Sequence, residues 1–373
     1  MANAITPVVM PKWGLEMREG TVQDWLVAEG ARIEVGQPLV DVDTDKISNA
    51  VEATDAGLLR RIVAQSGELL PVKGLLAVLA EPEVSDADID AYIAAFEVPE
   101  AGTGDEDAGP AFQFAEVDGI RVRYARRGPE QGVPVLFIHG FGGDLNNWLF
   151  NLDAVAARAP AIALDLPAHG QSSAKLPGTS IAALAGFVHK FMTAAGLNGP
   201  MHLVGHSMGG AVAIQLAAQH PARVASLALV SPAGLGREIN TGYTDGFVKA
   251  QSRRDLKPVL EQLFADPALV SRQMIDDLLK YKRMDGIAPL LEELAAALFH
   301  DGRQTTVLAD ALNRFDKPVL VLWGKEDRVI PSAQAAQAPP GAQVLLFDHA
   351  GHMAMLEKAS EVNAALLRQV TAA

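Results

Sequence analysis

Gly205-His206-Ser207-Met208-Gly209 sets a serine between two glycines, after an apolar run ending at Val204 and before an alanine-rich stretch, Ala211 to Gln219. A strand that turns sharply into a helix would hold that hydroxyl out at the end of a sheet, and the small flanking residues let the turn close. A serine hydroxyl is a weak nucleophile until a base takes its proton, so a histidine and an orienting carboxylate are required elsewhere. His352 is the expected base, and His349, three residues earlier, is its formal rival. Asp327, in Trp323-Gly324-Lys325-Glu326-Asp327-Arg328, is the expected acid, with Glu326 as the alternative. Acyl chemistry also needs donors for a developing oxyanion. Met208 would offer its amide as the residue after the nucleophile, and Phe141, in His139-Gly140-Phe141-Gly142, would offer the second. His139, His206 and His169, the last in Asp165-Leu166-Pro167-Ala168-His169-Gly170-Gln171-Ser172, read as structural.

A second reactive group lies far upstream. Lys46, in Asp43-Thr44-Asp45-Lys46-Ile47-Ser48-Asn49, is flanked by Leu39, Val40, Val42 and Val51, a pattern that suits the exposed tip of a hairpin. It lies near the midpoint of an internal repeat. Gly20, Trp25, Gly30, Ile33 and Val35 are echoed, always 37 positions later, by Gly57, Ile62, Gly67, Leu70 and Val72. Two similar β layers packed face to face should result.

The elements that would carry the serine follow from the rest of the chain. Apolar strand-length runs, Val135 to Ile138, Ala161 to Leu164, His202 to Val204, Leu227 to Val230, Val319 to Leu322 and Val344 to Phe347, alternate with longer helical stretches. That alternation predicts a mostly parallel, doubly wound sheet buried on both faces. The stretch from about Gly234 to Arg303 reads as helical only, hence a cap over the sheet. Five basic residues in it, Arg253, Arg254, Lys280, Lys282 and Arg283, read as a solvated helix face, with a nucleotide-binding patch as the rival. Between Glu81 and Ala111 acidic residues, proline and glycine crowd together, as in a linker. Within it Ser85 and Asp88 resemble a helix cap preceding Ile89, Tyr92, Ile93 and Phe96 at helical spacing.

Bulk properties narrow the function. The 373 residues exceed what one core usually serves, so residues 1–80, 81–111 and 112–373 are expected as an all-β domain, a linker and an α/β domain, with the cap at about 234–305. The chain has no cysteine, which excludes thiolate metal sites and a cysteine nucleophile. A net charge of -14 disfavours nucleic acid or an anionic membrane as partner. No secretory signal or spanning segment is evident at the sequence level, so a cytoplasmic location is expected.

The fold class expected is multidomain, a small all-β domain followed by a mostly parallel α/β domain with a helical cap, which by resemblance are a biotinyl/lipoyl-type carrier and an α/β-hydrolase fold. Residues from Val8 to about Ala80 resemble the lipoyl domain of 2-oxoacid dehydrogenase complexes, with Asp45-Lys46 matching the lipoyl-lysine motif. The biotin carrier, whose lysine lies between two methionines, fits less well, because Lys46 lies between Asp45 and Ile47. From about Phe112 onward the chain looks like an α/β hydrolase, in which serine, acid and histidine follow in that order. The fusion resembles the acyltransferase component of acetoin dehydrogenase complexes. That resemblance implies lipoate on Lys46, coenzyme A as acetyl acceptor, a thiamine-dependent dehydrogenase component and dihydrolipoamide dehydrogenase as partners, and a homo-oligomer. Ordinary dihydrolipoyl acyltransferases instead use a histidine followed, after three residues, by Asp-Gly; the nearest match here is His300-Asp301-Gly302. The alternative function is a lipoyl-linked hydrolase acting as a thioesterase, an esterase or a carbon-carbon bond hydrolase.

Overall fold

The computed structural model describes residues 5–13, 17–44, 48–98 and 112–372. Two compact units divide the chain, residues 1–109 and 110–373.

The first unit is built of short strands, of which Leu75–Ala80 is apolar and buried throughout while Glu19–Trp25 and Pro38–Asp43 mix buried apolar with more exposed polar residues. The strands are β1 (Ile5–Val9), β2 (Glu19–Trp25), β3 (Arg32–Ile33), β4 (Pro38–Asp43), β5 (Ser48–Glu52), β6 (Gly57–Ile62), β7 (Leu69–Pro71) and β8 (Leu75–Ala80). Two four-stranded sheets form, in the orders β1-β8-β6-β3 and β5-β4-β2-β7. Val22, Leu39, Val42, Leu59 and Leu76 are buried in the core they enclose. The repeat has a physical basis. Gly30 and Gly67 both close turns in the left-handed region, at φ +87° and +86°, where a side chain is strained. Gly20 and Gly57 are both crowded, so that an added Cβ would lie 2.7 Å from Val42 Cγ1 and 3.3 Å from Leu79 Cβ. The helix Asp86–Ala95 is capped by the Ser85 side chain, which accepts from the Asp88 amide. It buries Ile89 against Leu75, Val78 and Ala80, and Arg60 and Arg61 pair with its Asp86 and Asp90 at 2.7 and 3.0 Å.

The second unit is built on an eight-stranded sheet. Its strands are β9 (Gln113–Val117), β10 (Ile120–Arg127), β11 (Val135–Ile138), β12 (Ala161–Leu164), β13 (Met201–His206), β14 (Val224–Val230), β17 (Val319–Gly324) and β18 (Gln343–Phe347), ordered β9-β10-β12-β11-β13-β14-β17-β18. From β12 to β18 every neighbouring pair is parallel. The apolar runs predicted to be doubly buried are so in β11, β12, β13, β14 and β17, whereas the edge strand β18 leaves Val344 and Leu346 exposed.

The antiparallel hairpin β9–β10 is an addition to the sequence-level reading. Its strands alternate charged and apolar residues, and Asp118-Gly119 turns it with φ +52° and +71°, the two left-handed residues that a tight hairpin needs. A second addition interrupts the cap. After the helices Thr241–Lys249, Arg253–Leu260, Arg272–Lys282 and Ile287–Leu298, strands β15 (Phe299–His300) and β16 (Arg303–Gln304) form a hairpin. Its tip is Asp301-Gly302, with φ +48° and +71°. The cap is thus not purely helical, and His300-Asp301-Gly302 is a turn motif on an exposed tip.

Candidate active site

Ser207 is the pivot between β13 and the helix Met208–Gln219, at φ 51° and ψ -119°. The flanking glycines are there because nothing larger fits. A Cβ on Gly205 would come within 2.5 Å of the Gly209 carbonyl oxygen, and one on Gly210 within 2.7 Å of Pro232 Cβ. The Ser207 amide donates to Val230 O at 3.1 Å, and its carbonyl accepts from Ala233 N at 2.9 Å, which ties the turn to the end of β14. Met208 opens the helix, where a backbone N–H has no intrahelical acceptor.

The loop after β11 lies directly against the serine, since a Cβ on Gly140 would sit 3.0 Å from Ser207 Cβ. His139 shapes it. Its Nδ1–H donates to the neighbouring Gly140 carbonyl at 2.7 Å, and its Nε2 accepts from Leu166 N at 2.9 Å. Burial holds His139 down to about 4, so its ring is a neutral strut. His169 is likewise depressed by burial, to about 3, and donates to Pro167 O at 2.9 Å. Buried Asp165 fixes the next turn by accepting from Arg123 Nε at 2.6 Å and from the amides of Leu145 and Gln171. Phe141 packs edge-on against Phe247 of the cap at 5.8 Å between ring centroids.

His352 and Asp327 are brought together. Nδ1 of His352 donates to Asp327 Oδ2 at 2.8 Å, and both side chains are buried. The other Asp327 oxygen accepts from the amides of Val329 and Ile330 at 2.8 and 2.9 Å, while Trp323 Nε1 donates to Oδ2 at 2.9 Å. A carboxylate so saturated has one orientation, and it leaves Nε2 as the ring nitrogen of His352 that Asp327 does not engage. His206 stacks obliquely on His352 at 4.7 Å between centroids, and its Nε2–H donates to the His352 carbonyl at 3.0 Å. Burial, then the neighbouring His352, keeps His206 well below the usual histidine range. The two rivals lie elsewhere. His349 is exposed at φ +54°, and Glu326 is exposed and accepts from the Ala350 amide at 3.1 Å.

Trp323 as a second donor to the acid was not singled out from sequence, although it stands four residues before Asp327. Glu357 was also missed; it accepts from Gly351 N at 2.6 Å and from Ala265 N at 2.7 Å. The basic cap residues do not form a uniformly solvated face. Arg253 pairs with Asp276 (Nη2 to Oδ2, 2.6 Å), and Arg283 donates to the Gln251 carbonyl. Lys282 turns inward and donates to the carbonyls of Phe247, Val248 and Ala250.

Lys46 lies outside the described residues. The strands on either side of it are described: β4 and β5 pair antiparallel with Asp43 opposite Ser48, so Lys46 belongs to the short connection between them. A lysine in such a connection fits a covalent carrier group. Among the described residues no helix is long and apolar enough to cross a membrane, and no group of three or more metal-type ligands occurs.

Comparison with known proteins agrees with both halves. The family model described as alpha/beta hydrolase fold matches residues 133–359, and the one described as biotin-requiring enzyme matches residues 6–79. A meta-cleavage product hydrolase from Pseudomonas fluorescens superposes with a TM-score of 0.63 at 21% identity, covering 70% of this chain and 97% of that one, a likeness of fold alone. Two curated relatives span almost the whole chain. The dihydrolipoyllysine-residue acetyltransferase component of the acetoin cleaving system of Cupriavidus necator is 60% identical, over 99% of this chain and 98% of its own. Its counterpart from Pseudomonas putida is 47% identical, over 98% of each. With both modules in the same order and end-to-end similarity, the chain belongs to the family of dihydrolipoyllysine-residue acetyltransferase components of acetoin cleaving systems.

Proposed function

We propose that this chain moves an acetyl group from a dihydrolipoyl arm on Lys46 to coenzyme A through an acyl-enzyme on Ser207. The observation that carries the catalytic part is the buried His352–Asp327 pair at 2.8 Å, in the same site as a serine held in a strained strand-to-helix turn. The lipoyl group, when bound, supplies the acetyl as a thioester on a tether, which replaces a diffusional encounter by a high local concentration. Ser207 Oγ attacks the thioester carbonyl as His352 Nε2 takes its proton, and the amides of Phe141 and Met208 receive the oxyanion. The protonated His352 then returns the proton to the departing lipoyl sulfur. In the second half His352 deprotonates the coenzyme A thiol, which attacks the acetyl-serine and frees Ser207. Asp327 keeps the His352 ring in the tautomer that both halves need.

The relatives' names support membership of a multi-enzyme acetoin-cleaving assembly. We assign as partners a thiamine-dependent dehydrogenase component, which would load the arm, and dihydrolipoamide dehydrogenase, which would reoxidise it, with the chain acting as a cytoplasmic homo-oligomer. Domain limits of 1–80, 81–111 and 112–373 belong to the same reading.

Acetyl-dihydrolipoamide incubated with the wild-type protein should yield acetyl-coenzyme A in preference to acetate, and quenching before the acceptor is added should leave acetyl on the Ser207 peptide. Ser207→Ala should lose at least a thousandfold in transfer. Robust transfer by the alanine variant would refute the acyl-enzyme. Acetate release at one rate with or without coenzyme A would favour the hydrolase alternative.

A further inference from the structure

Three consecutive residues that end in the base are each held by a different carboxylate. Glu326 Oε2 accepts from Ala350 N at 3.1 Å, Glu357 Oε2 from Gly351 N at 2.6 Å, and Asp327 Oδ2 from His352 Nδ1 at 2.8 Å. Asp327 is the expected triad acid, and Glu326 lies exposed on the rim. Glu357 differs from both. It is half-buried, and its second oxygen reaches away from the histidine loop to accept from Ala265 N at 2.7 Å, in the segment that follows the cap's 3-10 turn Glu261–Leu263. One carboxylate thus bridges two chain segments.

The contact beneath it is tight. A Cβ on Gly351 would lie 2.7 Å from Leu263 O and 2.8 Å from Ala265 N, and Met353 N donates to Leu263 O at 3.2 Å. The loop therefore has little room to shift without breaking the bridge. Burial pushes the Glu357 carboxyl up from its usual range, while the amides of Gly351, Ala265 and Asp266 pull it back. Amide donors of this kind favour the ionised acceptor and make a bidentate brace stronger than a neutral hydrogen bond.

We infer that Glu357 is a positioning residue, whose carboxylate fixes the Ala350–His352 loop to the base of the cap and so holds His352 in register with Ser207. The inference rests on the triad reading above. A misplacement of about 1 Å at a reacting group can cost about a hundredfold in rate, so the brace acts on the rate of chemistry and not on substrate capture.

The test uses the full-length protein and two probes, a fluorophosphonate that labels an activated serine and an activated acetate ester. Glu357→Gln keeps the shape but offers an NH2 group where one of the two amides needs an acceptor. It should slow labelling of Ser207 and lower kcat for the ester by about tenfold to a hundredfold, with KM within about twofold. The downfield proton resonance of His352 Nδ1–H should shift or broaden. Glu357→Asp keeps the charge but is too short to span both amides, and it should be slowed likewise; it carries the test if the glutamine variant does not fold. A variant that melts lower yet labels Ser207 at the wild-type rate, with an unchanged Nδ1 resonance, overturns the inference. Absence of labelling in the wild type would sink the triad reading instead, and the Nδ1 resonance would still judge Glu357.

Discussion

Ser207, with its positive φ, occupies backbone space that costs a non-glycine residue of the order of 1–3 kcal/mol. Several imidazoles around it stay uncharged in the fold, and that has a measurable cost in acid. An unfolded histidine binds its proton near pH 6.5, but folded His139 holds off until about 4 and His169 until about 3. The native state is at full strength above pH 6.5, where neither form is protonated. As pH falls from 6.5 towards 4 only the unfolded chain gains those protons, so each histidine should remove about 1.4 kcal/mol of stability per pH unit. Denaturant melts of the second unit at pH 7, 6 and 5 should show this slope, and His139→Gln should flatten it. A slope unchanged by the substitution would mean that the ring is not carried uncharged.

The cap helices carry their own device. Lys282 sends its ammonium group among the carbonyls that end the helix Thr241–Lys249, and burial lowers the lysine to about 8. A cation is favoured at a helix C-terminus, where carbonyls lack amide partners. It also lies 5.0 Å from the Phe247 ring centroid, and that ring abuts Gly142 and Phe141 of the loop beside Ser207. Lys282→Met should therefore cost about 1–3 kcal/mol, the penalty for stranding buried carbonyls, and lower the melting temperature of the second unit by several degrees. Lys282→Arg, which keeps the charge in a wider fork, should recover part of the loss. A methionine variant as stable as the wild type would show that water replaces the ammonium at no cost.

Legibility in the sequence also differed by element. Central strands such as Val135 to Ile138 announce themselves, because a strand buried on both faces must be apolar throughout. β9 and β10 did not, since Glu116 and the arginines interrupt their apolar residues, Arg123 even where the strand is buried, although Asp118-Gly119 is a hairpin signal. The pairing of His352 with Asp327 was legible because such partners follow an elbow serine in fixed chain order. Glu357 was not, because its Ala265 partner lies 92 residues away and only the folded loop brings them together. Lys282 misled for a related reason: a basic residue on a helix reads as solvated unless the carbonyls it meets are known.

At the scale of the whole molecule, two units with separate cores divide the labour, and the division predicts separable losses. Lys46→Arg, examined by intact mass after expression with a lipoylating enzyme, should lack the lipoyl adduct that the wild type carries. Transfer that starts from loading by the partner enzymes should vanish with it, while transfer from free acetyl-dihydrolipoamide to coenzyme A persists. A lipoyl mass on Lys12 or Lys73 in the variant would move the assignment.

The pairing of β1 with β8, which sets Ile5 opposite Ala80, gives the first unit one further property. Its entrance and exit share a doorway, whereas the β4–β5 hairpin belongs to the other sheet. A module whose ends meet in this way can be spliced into a host loop, or rejoined end to end and reopened elsewhere, without redrawing its sheets. The carrier is in effect a cassette, and its position at the front of this chain is one of several that its geometry permits.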